Sequence, residues 1–121
     1  MPIKERHFVV SLDTGFTSGG TATTPEADLS SANWAYLYGK TSTGTNTFEV
    51  QACPLPFGET TAETDWYRYG SAMILNTDSE NFVTPIPPAT YGDYCTPRRV
   101  RVKVTTGGLD NVFIEGIREI A

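Results

Sequence analysis

Residues 97–117 read PRRVRVKVTTGGLDNVFIEGI, and the first half alternates strictly, with Val100, Val102 and Val104 set against Arg99, Arg101 and Lys103. A pleated strand sends alternate residues to opposite faces, so the pattern predicts a half-buried strand with its valines in a core and its cations outside. Gly107 and Gly108 follow, then Val112, Phe113 and Ile114 in a second β-rich run. That order predicts a hairpin with a loop longer than two residues. A second alternation lies at 47–53, where Phe48, Val50 and Ala52 interleave with Glu49 and Gln51. Its outward Glu49 is a candidate partner for the late cationic strand if the two lie side by side, because opposite charges commonly face one another on the wet side of an antiparallel sheet.

The rest of the chain carries weaker versions of the same signal. FVVSL at 8–12, after the charged lead Lys4, Glu5 and Arg6, predicts a first strand or an N-terminal arm that adds to a sheet. The Gly- and Thr-rich stretch 14–24 has no period and is expected to be a flexible loop. Thr24 before Pro25 and Glu26 suits the N-cap of one short helical turn, and no more helix than that is expected. WAYLY at 34–38 predicts a strand with both faces at least partly covered, ended by Gly39, and Gly44 with Asn46 predicts a hairpin-type turn into the next strand. Pro54 and Pro56 stop any ladder and open an irregular excursion, while Pro85, Pro87, Pro88 and Pro97 mark a stiff, extended connection. Many short strands between turn signals predict an antiparallel β-sandwich or small barrel in one domain, 1–121, with residues 1–24 as an N-terminal arm and flexible loop.

Composition agrees with the pattern. The chain has 121 residues, enough for one core without a metal or disulfide, and 12% of them are aromatic. Nine cations against fourteen acids, net charge -5, argue against a general nucleic-acid binder. Arg98, Arg99, Arg101 and Lys103 are the local exception, suited to an acidic partner or to carboxylates on a neighbouring strand. No apolar run approaches the ~20 residues that span a bilayer, and the N-terminal apolar segment is too short for a signal peptide. A cytosolic origin is therefore expected, with Cys53 and Cys95 as free thiols.

Candidate chemistry is sparse. Asp13, Thr14 and Gly15 after an apolar strand resemble the active-site triplet of retroviral-type aspartic proteases, in which two subunits each supply one Asp. Phe16 and the acid in Ile114-Glu115-Gly116 depart from that family, and Asp-Thr-Gly is also an ordinary turn, which is the preferred reading. His7 is the only histidine, so no triad or zinc spacing forms within one chain. Asp65, Asp78, Glu80 and Asp93 read as solvated loop acids rather than calcium ligands. Neither a catalytic residue, a metal nor a cofactor is expected. The aromatics Trp34, Tyr36, Tyr38, Trp66, Tyr67, Tyr69, Tyr91 and Tyr94 exceed what so small a core needs, and Trp and Tyr anchor interfaces and stack on sugar rings.

FEVQA at 48–52, Asp65-Trp66 on a following loop, the proline-rich approach, RRVRVKVTTGG and the closing VFIEGI together resemble a jelly-roll module of bacteriophage virion proteins, distantly similar to galactose-binding or discoidin-like sandwiches. The resemblance spans about Trp34 to Ile117 and implies a non-enzymatic virion protein, similar to the small decoration or cement proteins that clamp capsid shells. It implies a phage capsid protein as partner, a homo-oligomer of trimeric kind, neither nucleic acid nor membrane as ligand, and assembly in the host cytoplasm. The contact residues expected on this reading are Trp66, Tyr67, Tyr69, Tyr91, Tyr94, Arg99, Arg101 and Lys103. The alternative is a carbohydrate- or receptor-binding module of a phage tail or baseplate, with Trp66, Tyr67 and Tyr69 as a stacking platform.

Overall fold

Val100, Val102 and Val104 are fully buried, and the strand that carries them forms the inner wall of a two-layered β fold. The computed structural model describes residues 4–13, 22–30, 32, 34–42, 44–86 and 98–120, and for 4–13, 22 and 118–120 it describes the backbone. The strands among these residues are β1 (Lys4–Asp13), β2 (Ala22–Thr23), β3 (Ala27–Asp28), β4 (Trp34–Thr41), β5 (Asn46–Ala52), β6 (Tyr67–Arg68), β7 (Met73–Leu75), β8 (Asn81–Pro85), β9 (Arg99–Thr106) and β10 (Leu109–Ile120). All pairings are antiparallel. One sheet runs β1-β10-β4-β8; the other runs β2-β9-β5-β6, with β3 also on β9 and β7 also on β5.

The order follows a single rule. Counting from the two ends of the chain inward, β1 pairs with β10, β2 and β3 with β9, β4 with β8, and β5 with β6 and β7. The chain is thus one long antiparallel ribbon, and successive strand pairs fall on alternate sheets. Two further pairings, β10 with β4 and β9 with β5, close the sheets. This is the topology of a jelly roll.

The ribbon corrects one expectation directly. β9 and β10 are separated only by Gly107 and Gly108 yet lie in different sheets, so the Gly-Gly segment is a corner rather than a hairpin loop. The same holds between β4 and β5, where a hairpin-type turn was expected. Both flanking strands at each corner bury the same kind of residue, so the chain can carry on around the core instead of doubling back. Val100, Val102, Val104, Phe48 and Val50 line one wall of that core, and Ala35, Leu37, Leu109, Val112 and Ile114 line the other.

Asn46 ties the corners together although it is fully buried. Its amide donates to the carbonyls of Gly44, Leu75 and Thr77 at 3.0, 3.2 and 3.3 Å, and its oxygen accepts from Gly108 N at 3.1 Å. The corners that follow β4, β7 and β9 therefore meet on one side chain. Gly107 is required beside it: φ is +74°, and a Cβ would stand 2.5 Å from Asn46 Oδ1 and from the Thr45 carbonyl.

One more expectation changes. Thr24 does not cap a helical turn; it lies between β2 and β3 against β9, where Thr24 N donates to Val102 O and Val102 N to Thr24 Oγ1, both at 2.9 Å. The short 3-10 turn falls instead at Glu63–Asp65, inside the proline-opened excursion. Of the two readings of the N-terminal run, a first strand or an arm, residues 4–13 are a strand at the edge of the chain's own sheet, paired with β10 from Lys4 opposite Ile120 to Asp13 opposite Val112 with a register shift between Ser11 and Asp13.

Candidate docking surface

The two arginines of β9 do not face water. Arg99 is 3% exposed and Arg101 7%, because the segment from Cys53 to Trp66 folds back over them as a strap. Arg99 uses its whole guanidinium: Nε donates to Glu26 Oε1 at 2.5 Å, Nη1 to Pro56 O and Nη2 to Glu59 O, both at 2.7 Å. Arg101 Nε donates to Gln51 Oε1 at 2.8 Å and Nη2 to Glu63 Oε2 at 2.9 Å. A planar fork with several donors suits this task, since each strap carbonyl would otherwise lose its water without gaining a partner. Lys103 lies opposite Glu49 in register, as the alternation of both strands suggests, but the carboxylate within ion-pair reach of its ammonium is Glu63, at 4.0 Å. Arg101, and after it Lys103, hold the Glu63 carboxyl below its ordinary pKa.

Trp66 completes the strap. It is 7% exposed, its indole N–H donates to Thr61 Oγ1 at 3.0 Å, and the Arg101 guanidinium lies over its ring. Tyr67 is exposed on β6, while Tyr69 packs against the core and its backbone N–H bonds to Val50 O at 2.8 Å. Of the three aromatics expected as a stacking platform, Trp66 is buried, Tyr67 exposed and Tyr69 half-buried. Tyr91, Tyr94, Asp93 and Cys95 lie outside the described residues. Cys53 is a buried thiol beside a cleft of about 340 Å³ between Asp28 and Pro56. Asp13 ends β1, and the rest of its triplet lies outside the described residues.

The open surface is on the other sheet. Trp34, Tyr36 and Tyr38 alternate with buried Ala35, Leu37 and Gly39, so β4 points its small residues and one leucine inward and its large rings outward. Their exposures are 47%, 36% and 37%, and Val83 on the neighbouring β8 is 56% exposed. Register sets half-buried Ile117 beside Trp34, Phe113 and Val83 on either side of Tyr38, and Glu115 and Pro85 on either side of Tyr36. The result is a continuous aromatic and apolar band across three strands. Tyr38 OH donates to Glu115 Oε1 at 2.9 Å, which raises the phenol's pKa above its ordinary value.

Beside this band runs a groove of about 460 Å³ lined by Tyr38, Gly39, Asn81, Phe82, Asn111 and Phe113. Gly39 leaves room for the Phe82 ring, because a Cβ there would stand 2.7 Å from Phe82 Cζ, and that ring stacks on Phe48 at 5.2 Å. Asn111 has φ +50° where the register of β10 against β4 shifts between Asp110 and Phe113. A non-glycine residue held in the left-handed region beside a groove is local strain of the kind that clusters at binding sites. The groove offers phenol, amide and ring faces, which bind rather than react.

The sequence pattern placed Trp34, Tyr36 and Tyr38 among the surplus aromatics but not among the contact residues. Their alternation with Ala35 and Gly39 was the available signal: a strand whose intervening residues are small buries the small set when its ring partner crosses from elsewhere. Compared with protein-family models and with curated proteins, the chain matches none of either.

Proposed function

We propose that this chain is a non-enzymatic assembly module, a jelly roll that docks on a protein shell through the aromatic outer face of the β1-β10-β4-β8 sheet. The observation that carries the reading is the exposed row Trp34, Tyr36 and Tyr38 with Val83 beside it. Patches of this kind on a monomer mark interaction sites, and Trp and Tyr carry much of the energy where they are buried at an interface. The setting that fits best is the one the sequence resemblance implies, a decoration or cement protein of a phage capsid. A second exposed set, Phe57, Tyr67 and Ile74, belongs to the opposite half of the sandwich. Two separated contact areas suit a module that bridges neighbours, with many modest contacts adding through multivalency.

The test is co-sedimentation of purified protein with capsid shells assembled without it, in parallel with a polysaccharide array. Wild-type protein is expected on the shells, and the triple variant Trp34→Ala, Tyr36→Ala, Tyr38→Ala is expected to lose binding by about a hundredfold while keeping its β circular dichroism. Equal binding by the variant would overturn the assigned surface. Capture by the polysaccharide array in place of the shells would overturn the assembly reading in favour of a receptor-binding module.

A further inference from the structure

We propose that the aromatic band and its groove take an extended, proline-rich segment of the partner protein, laid along β4 and held by the amides of Asn81 and Asn111; this deepens the assembly reading above and rests on it.

Size is the first argument. From Trp34 to Lys40 the band is about 20 Å long, and β10 and β8 stand about 10 Å apart across β4. That footprint of a few hundred Å² falls short of the ~800 Å² per partner of a standard stable interface, so a second folded copy of this chain would be poorly held by it. A single extended chain has the right width.

The edge of the sheet decides where such a segment lies. Ile86 N donates to Ala35 O, so the even positions of β8 bond to β4 and the backbone groups of Asn81, Val83 and Pro85 point outward. Pro85 has no N–H to give, which blunts β8 against strand addition. The segment therefore lies on the face rather than extending the ladder.

The lining then selects the conformation. Tyr38 and Phe113 supply rings, and the Asn81 and Asn111 amides each offer a donor and an acceptor. A polyproline II segment makes no internal hydrogen bonds, so its carbonyls are free to accept from such amides, and its rings pack in aromatic-lined grooves at low ordering cost. At about 3.1 Å per residue, six or seven residues cover the band. None of the residues lining the groove is charged, and Lys40 at that end of the band lies in register with Asp110, so the body of the segment is uncharged.

The experiment is a fluorescence-anisotropy screen of the folded protein against three arrays. These are heptapeptides with proline at the first and fourth positions and varied flanks, proline-free β-forming heptapeptides, and neutral oligosaccharides. Proline-rich members are expected to bind saturably. Asn111→Gly, which keeps the left-handed backbone and removes the amide, and Tyr38→Ala should each weaken that binding about tenfold or more. Failure of every proline-rich member overturns the proposal, as does tighter binding of the other arrays or a concentration-dependent dimer abolished by Tyr38→Ala. If shells still capture the protein through Trp34, Tyr36 and Tyr38 while no proline-rich peptide binds, the assembly reading survives and the peptide assignment falls. If peptides bind and shells do not, the assembly reading falls alone.

Discussion

The Arg101 guanidinium carbon lies 4.3 Å from the centre of the Trp66 ring, and this stacking closes the strap over the cationic face of β9. Arg99 stands 5.7 Å from the same ring and 5.5 Å from that of Phe57. A charge held among ring faces and carbonyls keeps favourable electrostatics after losing its water, which is how two arginines come to be buried on the side of a sheet that the alternation assigns to solvent.

Trp66→Ala should release the strap. Loss of a nearly buried indole and of its cation-π contacts is expected to cost about 3–5 kcal/mol of stability in denaturant unfolding. Cleavage by a glutamate-specific protease at Glu59 and Glu63, slow in the wild type, should become fast under native conditions. Unchanged cleavage would show that the strap is held without the ring.

Glu63 gives the strap an acid-sensitive fastening. Arg101 lowers its folded pKa below the ordinary 4.5, so the stabilising contribution is full at neutral pH and is lost as pH falls below the ordinary value and through the lowered one. Glu63→Gln should reduce the melting temperature slightly at pH 7 and match the wild type once pH has fallen through the lowered pKa. The carboxylate is largely exposed, so the difference should also shrink in molar salt. A gap that widens toward acid pH would contradict the assignment.

Asn46→Ala removes the side chain on which three corners meet. The Gly108 N–H and the carbonyls of Leu75 and Thr77 would be left with fewer partners in a buried place, and a loss of roughly 3 kcal/mol is expected. Hydrogen exchange should report it first, as faster exchange at Gly108 than in the middle of β9.

Gly39→Ala tests the groove without touching its polar groups. The new methyl meets the Phe82 ring, which must move away from Phe48, at a cost of about 1 kcal/mol. The ring resonances of Phe82 and Phe48 should shift together, and any ligand of the groove should bind differently while far-UV dichroism stays the same.

Some of the candidate surface was legible and some was not, for reasons that differ by residue. Arg99 and Arg101 were identifiable as a cluster, but their cover comes from Pro56, Glu59 and Glu63, some forty positions away, and no local pattern records that. Trp66 and Tyr67 are adjacent in sequence and read alike as interface aromatics; folding buries one and exposes the other. On β4 both sets are apolar, so hydrophobicity could not say which faced inward until Phe82 was seen to occupy the space over Gly39.

What the amino-acid order determined alone is the all-β class and the inward face of the alternating strands β5 and β9, because the two-residue period of a pleat is a local property, whereas the short β2 and β3 fall where a loop and a helical turn were expected. Val100, Val102 and Val104, with Phe48 and Val50, are inside as their alternation demands. Only the tertiary structure decided which turns change sheet, which arginines are covered and which aromatic row is left open. A Gly-Gly corner and a hairpin share the same turn chemistry, and burial depends on what distant segments are brought to lie above a residue.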